Sequence, residues 1–290
     1  MNVSEQIQEA CHACGLDSPI HSLRSCAGGN TSSVYAIHLA NGDTFAAKVS
    51  PHSDRLEEEV RGITRLRKTN TVRVPSVIGR HNGVLILEFL TSGDTTSSGH
   101  WITFGQTLAQ LHAGDAGSTY GLDHDNHLGN TRQANTWSAD WIEFNQQSRF
   151  LPLVHQIEAQ GTIQSHERVL IDTFINQLEH MLPADPHPAL IHGDLWSGNA
   201  LVCFDGEVAL IDPAVSIGDG LADIAMMRLF GGFPRECIGA YSESLGIDLQ
   251  CSEIQTRVSA YSVYHLMNHW LLFGRGYADE SLRVIQSLVT

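Results

Sequence analysis

The chain has 290 residues, 42% of them apolar, and a formal charge of −15 from 17 Lys and Arg against 32 Asp and Glu. This balance argues against a nucleic-acid partner and an anionic membrane surface, because affinity for either rests on Lys and Arg. It permits a cationic or amine-bearing substrate, and the length allows one large domain or two modest ones with a substantial core.

The opening stretch "MNVSEQIQEA" lacks the basic and apolar regions of a signal peptide, and there is no run of 18 apolar residues. A cytoplasmic protein is therefore expected. Its six cysteines are scattered and expected to be reduced. Cys11 and Cys14 form a C-x-x-C with no second pair, which reads as two thiols on a helix in preference to a zinc site.

The first fifteen residues read as a short helix ended by Gly15. "SCAGGNTSSVY" (25–35) places Gly28, Gly29 and Asn30 between two strands, where backbone N–H groups can form a nest for an anion. Residues 33–50 read as a hairpin turned by Asn41-Gly42-Asp43. Residues 53–68 carry acids early and bases late, as a helix dipole favours. Two more strands flank His81-Asn82-Gly83. "LILEFL" (85–90) then runs into a polar linker, and the backbone of Glu88 to Leu90 is expected, by analogy, along an adenine edge.

Beyond the linker the character changes. Helices are expected at 101–113, 137–160, 164–182, 221–230, 235–245, 252–273 and 278–289, with strands only at 190–192, 200–204 and 207–212. The expected fold is α+β and bilobal, with a small β-rich nucleotide-binding lobe (1–90), a larger, mostly helical lobe (91–290) and a cleft between them.

"LIHGDLWSGNAL" (190–201) and "EVALIDPA" (207–214) carry the chemistry. A strand ends in His-x-Asp, an Asn follows five residues after the Asp, and the next strand ends in a second Asp. This is the layout of a phosphoryl-transfer loop. Asp194 is placed to accept the proton of an acceptor hydroxyl. Asn199 and Asp212 are placed to give Mg²⁺ the hard oxygen ligands it prefers. The competing reading is strand-end Asp and Asn making turns. Such chemistry also needs a cation on the phosphates. The chain has only two lysines, and Lys48 sits in an apolar strand, "TFAAKVS". Its carboxylate partner is expected among Glu57, Glu58 and Glu59, which point in different directions at 100° per residue.

With these parts in order, the chain resembles the protein-kinase-like superfamily and, more narrowly, the fructosamine (ketosamine) kinase family. The resemblance rests on "HGDLWSGN" (192–199), "IDPA" (211–214), "KTNTVRVP" (68–75), "FGGFP" (230–234) and "MNHWLLFGRGY" (267–277). It implies transfer of phosphate from ATP, with Mg²⁺, to the sugar 3-hydroxyl of a ketosamine, after which the unstable product releases its amine. It further implies Asp194 as base, Asn199 and Asp212 as metal ligands, Lys48 on the phosphates and Glu59 as its partner. Trp196 is implied as a wall for the sugar, Asp223 as the residue ordering the catalytic loop, and His192 as a loop-positioning residue. His265 and His269 are implied to line the acceptor pocket, with core packing as the rival reading. "VSIGDG" (215–220) stands where the family often has two tyrosines. Two rivals share the core residues: a small-molecule kinase for aminoglycosides or choline, and a nucleotide-binding pseudokinase.

Overall fold

A computed structural model describes residues 2–26 and 32–290. Gly28, Gly29 and Asn30 lie outside the described residues. The chain opens with helix α1 (Val3–Ala13), then strands β1 (Ile20–Cys26), β2 (Ser33–Leu39) and β3 (Thr44–Val49), helix α2 (Ser53–Lys68), and strands β4 (Val77–His81) and β5 (Val84–Glu88). Next come α3 (Ser98–Ala113), the short strands β6 (Asn126–Leu128) and β7 (Thr131–Gln133), α4 (Trp141–Phe144), α5 (Leu151–Ala159) and α6 (Ser165–Asn176). Four short strands follow: β8 (Ala189–Ile191), β9 (Ala200–Val202), β10 (Val208–Leu210) and β11 (Ser216–Gly218). The chain ends with α7 (Leu221–Leu229), α8 (Arg235–Leu245), α9 (Ser252–Phe273) and α10 (Ala278–Val289). The α+β class expected from the sequence holds.

Two compact units form, one of Met1–His100 with Asn199–Pro213 and the other of Trp101–Gly198 with Ala214–Thr290. A single boundary at 90/91 does not describe them. The β9–β10 hairpin joins the first unit because Ala209 bridges Arg73, Cys203 bridges Ser92, and the Leu210 N–H donates to the Arg73 carbonyl at 2.8 Å.

The first unit is built on an antiparallel sheet ordered β1-β2-β3-β5-β4. Alternation along its strands sorts two faces. Ile37 and Leu39 of β2, Ala47 of β3, and Val84 and Ile86 of β5 pack with Ile7, Ala10 and Cys11 of α1 in one buried cluster. A capping box between Asn2 and Glu5 starts that helix. Lys48 has the opposite parity to Ala47, so it leaves the other face, toward α2. Cys11 is buried and Cys14 partly so, both as free thiols, and burial pushes both thiol pKa values up.

The second unit is mostly helical, with three departures from the sequence reading. The helix expected from 137 begins at Trp141, where the Asp140 side chain accepts from the Glu143 N–H, and it passes through a π-helical segment at Asn145–Phe150. The helix expected to reach 182 ends at Asn176, followed by a 3₁₀ turn at Leu178–His180. Strands β6, β7 and β11 were not expected. Asn126 and Gln133 are buried on β6 and β7, with Asn126 donating to the Val215 carbonyl at 2.9 Å and Gln133 donating to Asn126 at 3.2 Å. Strands held by buried amides leave no apolar alternation to read.

Candidate active site

In the first unit the Lys48 ammonium lies 2.7 Å from Glu59 Oε2 and 2.7 Å from Asp212 Oδ1. Lys48 and Glu59 are both buried. Of the three candidate acids on α2, Glu59 faces Lys48, whereas Glu57 is turned to Arg61 and Arg80. One turn beyond Glu59, Gly62 lets α2 approach the next stretch of chain: a Cβ there would lie 3.0 Å from Pro213 Cγ. That close approach sets Asp212 beside Glu59. Asp212 itself has φ +54, a left-handed conformation that Asp tolerates better than most residues.

Burial pushes the Glu59 carboxyl up to about 7, opposed by Lys48 and reinforced by Asp212. Burial alone would lower the Lys48 pKa, but the two carboxylates hold it well above the usual lysine value. Lys48 therefore stays charged at neutral pH.

The raised Glu59 pKa has a direct linkage consequence. Between the ordinary carboxyl value of 4.5 and about 7, the folded chain holds a proton at Glu59 that the unfolded chain releases. This contribution to stability is complete below pH 4.5 and is lost as pH rises through 7. The slope is at most about 1.4 kcal/mol per pH unit. Glu59→Gln should show a shallower fall in unfolding free energy from pH 5 to pH 8, read by urea denaturation; an unchanged slope would remove Glu59 as its source.

Asn199 and Asp212 sit at one end of the β9–β10 hairpin, where the Ile211 N–H donates to the Asn199 carbonyl at 3.0 Å. Among the described residues no cluster of three or more His, Cys, Asp or Glu could hold a metal. A carboxylate and an amide at one hairpin end are still a hard-oxygen pair. They suit Mg²⁺, which keeps waters and takes phosphate oxygens as its remaining ligands.

The Glu88 side chain is tied into the first unit. Its carboxylate accepts from the Ser76 N–H at 3.0 Å and hydroxyl at 3.0 Å and from Arg73 at 3.2 Å, and its own N–H donates to the Ser76 carbonyl at 2.8 Å. Burial works to raise the Glu88 pKa, but Ser76 and Arg73 bring it below the usual carboxylate value. Leu90 follows β5 and is partly buried. Arg73, which the sequence reading passed over, also binds Asp205 and Glu207 in the β9–β10 turn. It joins that hairpin to β5. Its only sequence signal is an Arg within the family-like "KTNTVRVP".

In the second unit the loop after β8 is clasped by Asp223. The carboxylate accepts from the His192 N–H at 2.7 Å and the Gly193 N–H at 2.9 Å, and His112 Nε2 lies 3.2 Å away. Burial would raise the Asp223 pKa, yet these donors and the two histidines bring it below its ordinary value. His192 is fully buried, and its Nδ1 accepts from the Asp194 N–H at 3.3 Å. Asp194 is half-buried, and its carbonyl accepts from the Trp196 N–H at 3.0 Å. The Trp196 ring lies against Gly198 and remains 42% exposed.

His265 and His269 face different surroundings. His265 is buried, its Nδ1 has no hydrogen-bond partner, and burial lowers its pKa to about 4. It borders a cavity of about 40 Å³ shared with Gly193 and Asp223. His269 Nδ1 meets the His265 carbonyl at 2.9 Å, and its ring packs among Phe230, Phe273 and Tyr277. "VSIGDG" supplies Asp219, which binds Arg257 and the Tyr261 hydroxyl, and Trp141 donates to that hydroxyl at 2.8 Å.

Comparison with known proteins gives this geometry its family. The fructosamine kinase family model matches residues 2–290. The chain belongs to the fructosamine kinase family. The "Probable ketoamine kinase" of Vibrio parahaemolyticus is 32% identical over 270 residues, covering 91% of each chain. The chloroplastic protein-ribulosamine 3-kinase of Oryza sativa subsp. indica is 31% identical over 283 residues, covering 93% of this chain and 80% of its own. A solved Haemophilus somnus structure carrying a fructosamine-3-kinase name superposes with TM-score 0.87 at 25% identity, covering 100% of both chains. An aminoglycoside phosphotransferase solved with AMP-PNP and hygromycin B shares the fold alone, with TM-score 0.69 at 15% identity over 100% of this chain and 98% of its own. As a fructosamine kinase family member, the protein is an ATP-dependent phosphotransferase acting on a hydroxyl group. No helix among the described residues is long and apolar enough to cross a membrane.

Proposed function

We propose that this fructosamine kinase family member transfers the γ-phosphoryl group of ATP to the 3-hydroxyl of a ketosamine, a 1-amino-1-deoxyketose. The observation that carries the reading is the buried Lys48 ammonium held at 2.7 Å by both Glu59 and Asp212. A cation is seldom buried with two acids for stability alone, because desolvating three charges costs several kcal/mol per ion.

In the proposed reaction Lys48 neutralises the triphosphate, and Glu59 fixes where its ammonium points. Asp194 accepts the proton of the sugar 3-hydroxyl as that oxygen bonds to the γ-phosphorus, and the bond from phosphorus to the β-γ bridging oxygen breaks to release ADP. Asp223 keeps the backbone beside Asp194 in place by holding the His192 and Gly193 N–H groups. Asn199 and Asp212 would hold Mg²⁺. When bound, that ion neutralises charge on the transferring phosphoryl group. Trp196 offers an exposed indole face to the sugar. The glycine-rich stretch with Gly28, Gly29 and Asn30 is proposed as the phosphate cradle, and the backbone near Glu88 and Leu90 as the adenine edge.

The test is a panel of ATP-consumption rates over fructosyl-, ribulosyl- and erythrulosyl-amines, with kanamycin and choline as controls and the phosphorylated position read by NMR. The expected result is Mg²⁺-dependent ADP formation with ketosamines and phosphate on O3. Turnover of choline or kanamycin with none of any ketosamine would overturn the assignment.

A further inference from the structure

One aromatic cluster of the second unit has no role in the chemistry above. Phe230 closes α7, and its ring centroid lies 4.6 Å from that of His269 on α9. His269 lies 5.3 Å from Phe273 and 5.1 Å from Tyr277, and those two rings are 6.1 Å apart. Phe230 thus meets three rings from the end of α9 and the residues just after it, yet Phe230 is 38% exposed and Phe273 50% exposed. Such a patch on a charged protein marks a binding surface more often than a packing fault.

The cluster adjoins the loop that carries Asp194. Phe230 is followed by Gly231 and Gly232, and a Cβ on Gly232 would lie 2.3 Å from Ser197 Oγ. Ser197 directly follows the exposed Trp196. The indole and the four rings therefore flank one contact between Gly232 and the loop. His269 uses its Nδ1 on the His265 carbonyl, and burial lowers its pKa, so its ring is neutral at pH 7 and sets no positive charge among the others.

The chemistry of the proposed substrate supplies the occupant. A ketosamine bears its nitrogen on C1, four covalent bonds from O3, so the group attached to nitrogen starts beside the reacting hydroxyl. That nitrogen is a protonated secondary amine at neutral pH. Aromatic faces attract such a cation and the alkyl chain next to it, and they offer nothing to a carboxylate. We infer that Phe230, His269, Phe273 and Tyr277 form the subsite for the amine-side substituent of the ketosamine. The subsite favours an alkyl-substituted ammonium over one with a carboxylate next to the nitrogen. This inference rests on the ketosamine reading of the preceding subsection.

The test compares fructosyl-butylamine with fructosyl-glycine, two ketosamines of one sugar, on wild type and Phe273→Ala. Wild type should prefer the butylamine adduct. Phe273→Ala should raise its KM about 3- to 10-fold, leave kcat within about twofold, and change the glycine adduct less than about twofold. Phe230→Ala should act in the same direction. Equal shifts for both substrates, or none for either, would overturn the subsite while leaving the ketosamine reading intact. If wild type turns over neither adduct, the subsite falls together with that reading, and this result is distinct from the other.

Discussion

Asp194→Asn should lower kcat for the ketosamine acceptor by about 10²- to 10⁴-fold, the usual worth of a positioned general base. The amide keeps the size of the side chain but is neutral and cannot accept the proton. The loop around it is held by other groups: Asp223 grips the His192 and Gly193 N–H groups at 2.7 and 2.9 Å, and His192 Nδ1 takes the Asp194 N–H. These backbone contacts survive the substitution, so the variant should remain folded. Steady-state turnover and urea denaturation on the same preparation separate the two effects. A variant that keeps wild-type turnover would remove Asp194 from the chemistry, and one that fails to fold would return it to a structural role.

Lys48→Met should damage both stability and activity. It leaves Glu59 and Asp212 facing each other without the ammonium now 2.7 Å from each, at a cost of about 3–5 kcal/mol for breaking a buried pair. Part of that cost is avoidable, because Glu59 already titrates near 7 and becomes neutral more readily once the cation is gone. Adding Glu59→Gln to Lys48→Met should therefore recover much of the lost stability, and a double-mutant cycle measures how much. Activity should not return with it. If Lys48 acts on the phosphates as proposed, losing its cation should cost about 10²- to 10³-fold in kcat, whatever the neighbouring acid is. Recovery of turnover in the double variant would show that Lys48 acts only as a structural counter-ion.

Lys48, Glu59, Asn199 and Asp212 differ in how far the sequence announces them. Lys48 stands out as one of two lysines in the chain, placed in an apolar strand of a clear hairpin. Asn199 stands out as an amide five residues after Asp194, and Asp212 as an acid that ends a short apolar run. Glu59 does not, since three consecutive acids on one helix are equivalent until the helix has a neighbour, and the family resemblance was needed to single it out. The neighbour itself is set by Gly62 against Pro213, a contact between distant segments that no local period reports. For the same reason the sequence does not announce that Asn199–Pro213 belongs with the first unit. Nor does it announce the aromatic cluster, because Phe230 joins His269, Phe273 and Tyr277 only after α7 and α9 have packed. The buried amides of β6 and β7 escape detection for the opposite cause: their stability is polar, and hydrophobic pattern is blind to it.

The 164-residue separation between Lys48 and Asp212 bears on how the protein is made. At about 5–20 residues per second, a ribosome needs roughly 10 to 30 s to deliver the aspartate after the lysine has emerged. During that interval the sheet and α2 are already synthesised, but the hairpin that completes their unit does not yet exist. The N-terminal half thus cannot reach its final form first and serve as a platform for the rest. The nascent chain must keep a half-neutralised ammonium and an unfilled edge available until Pro213 arrives.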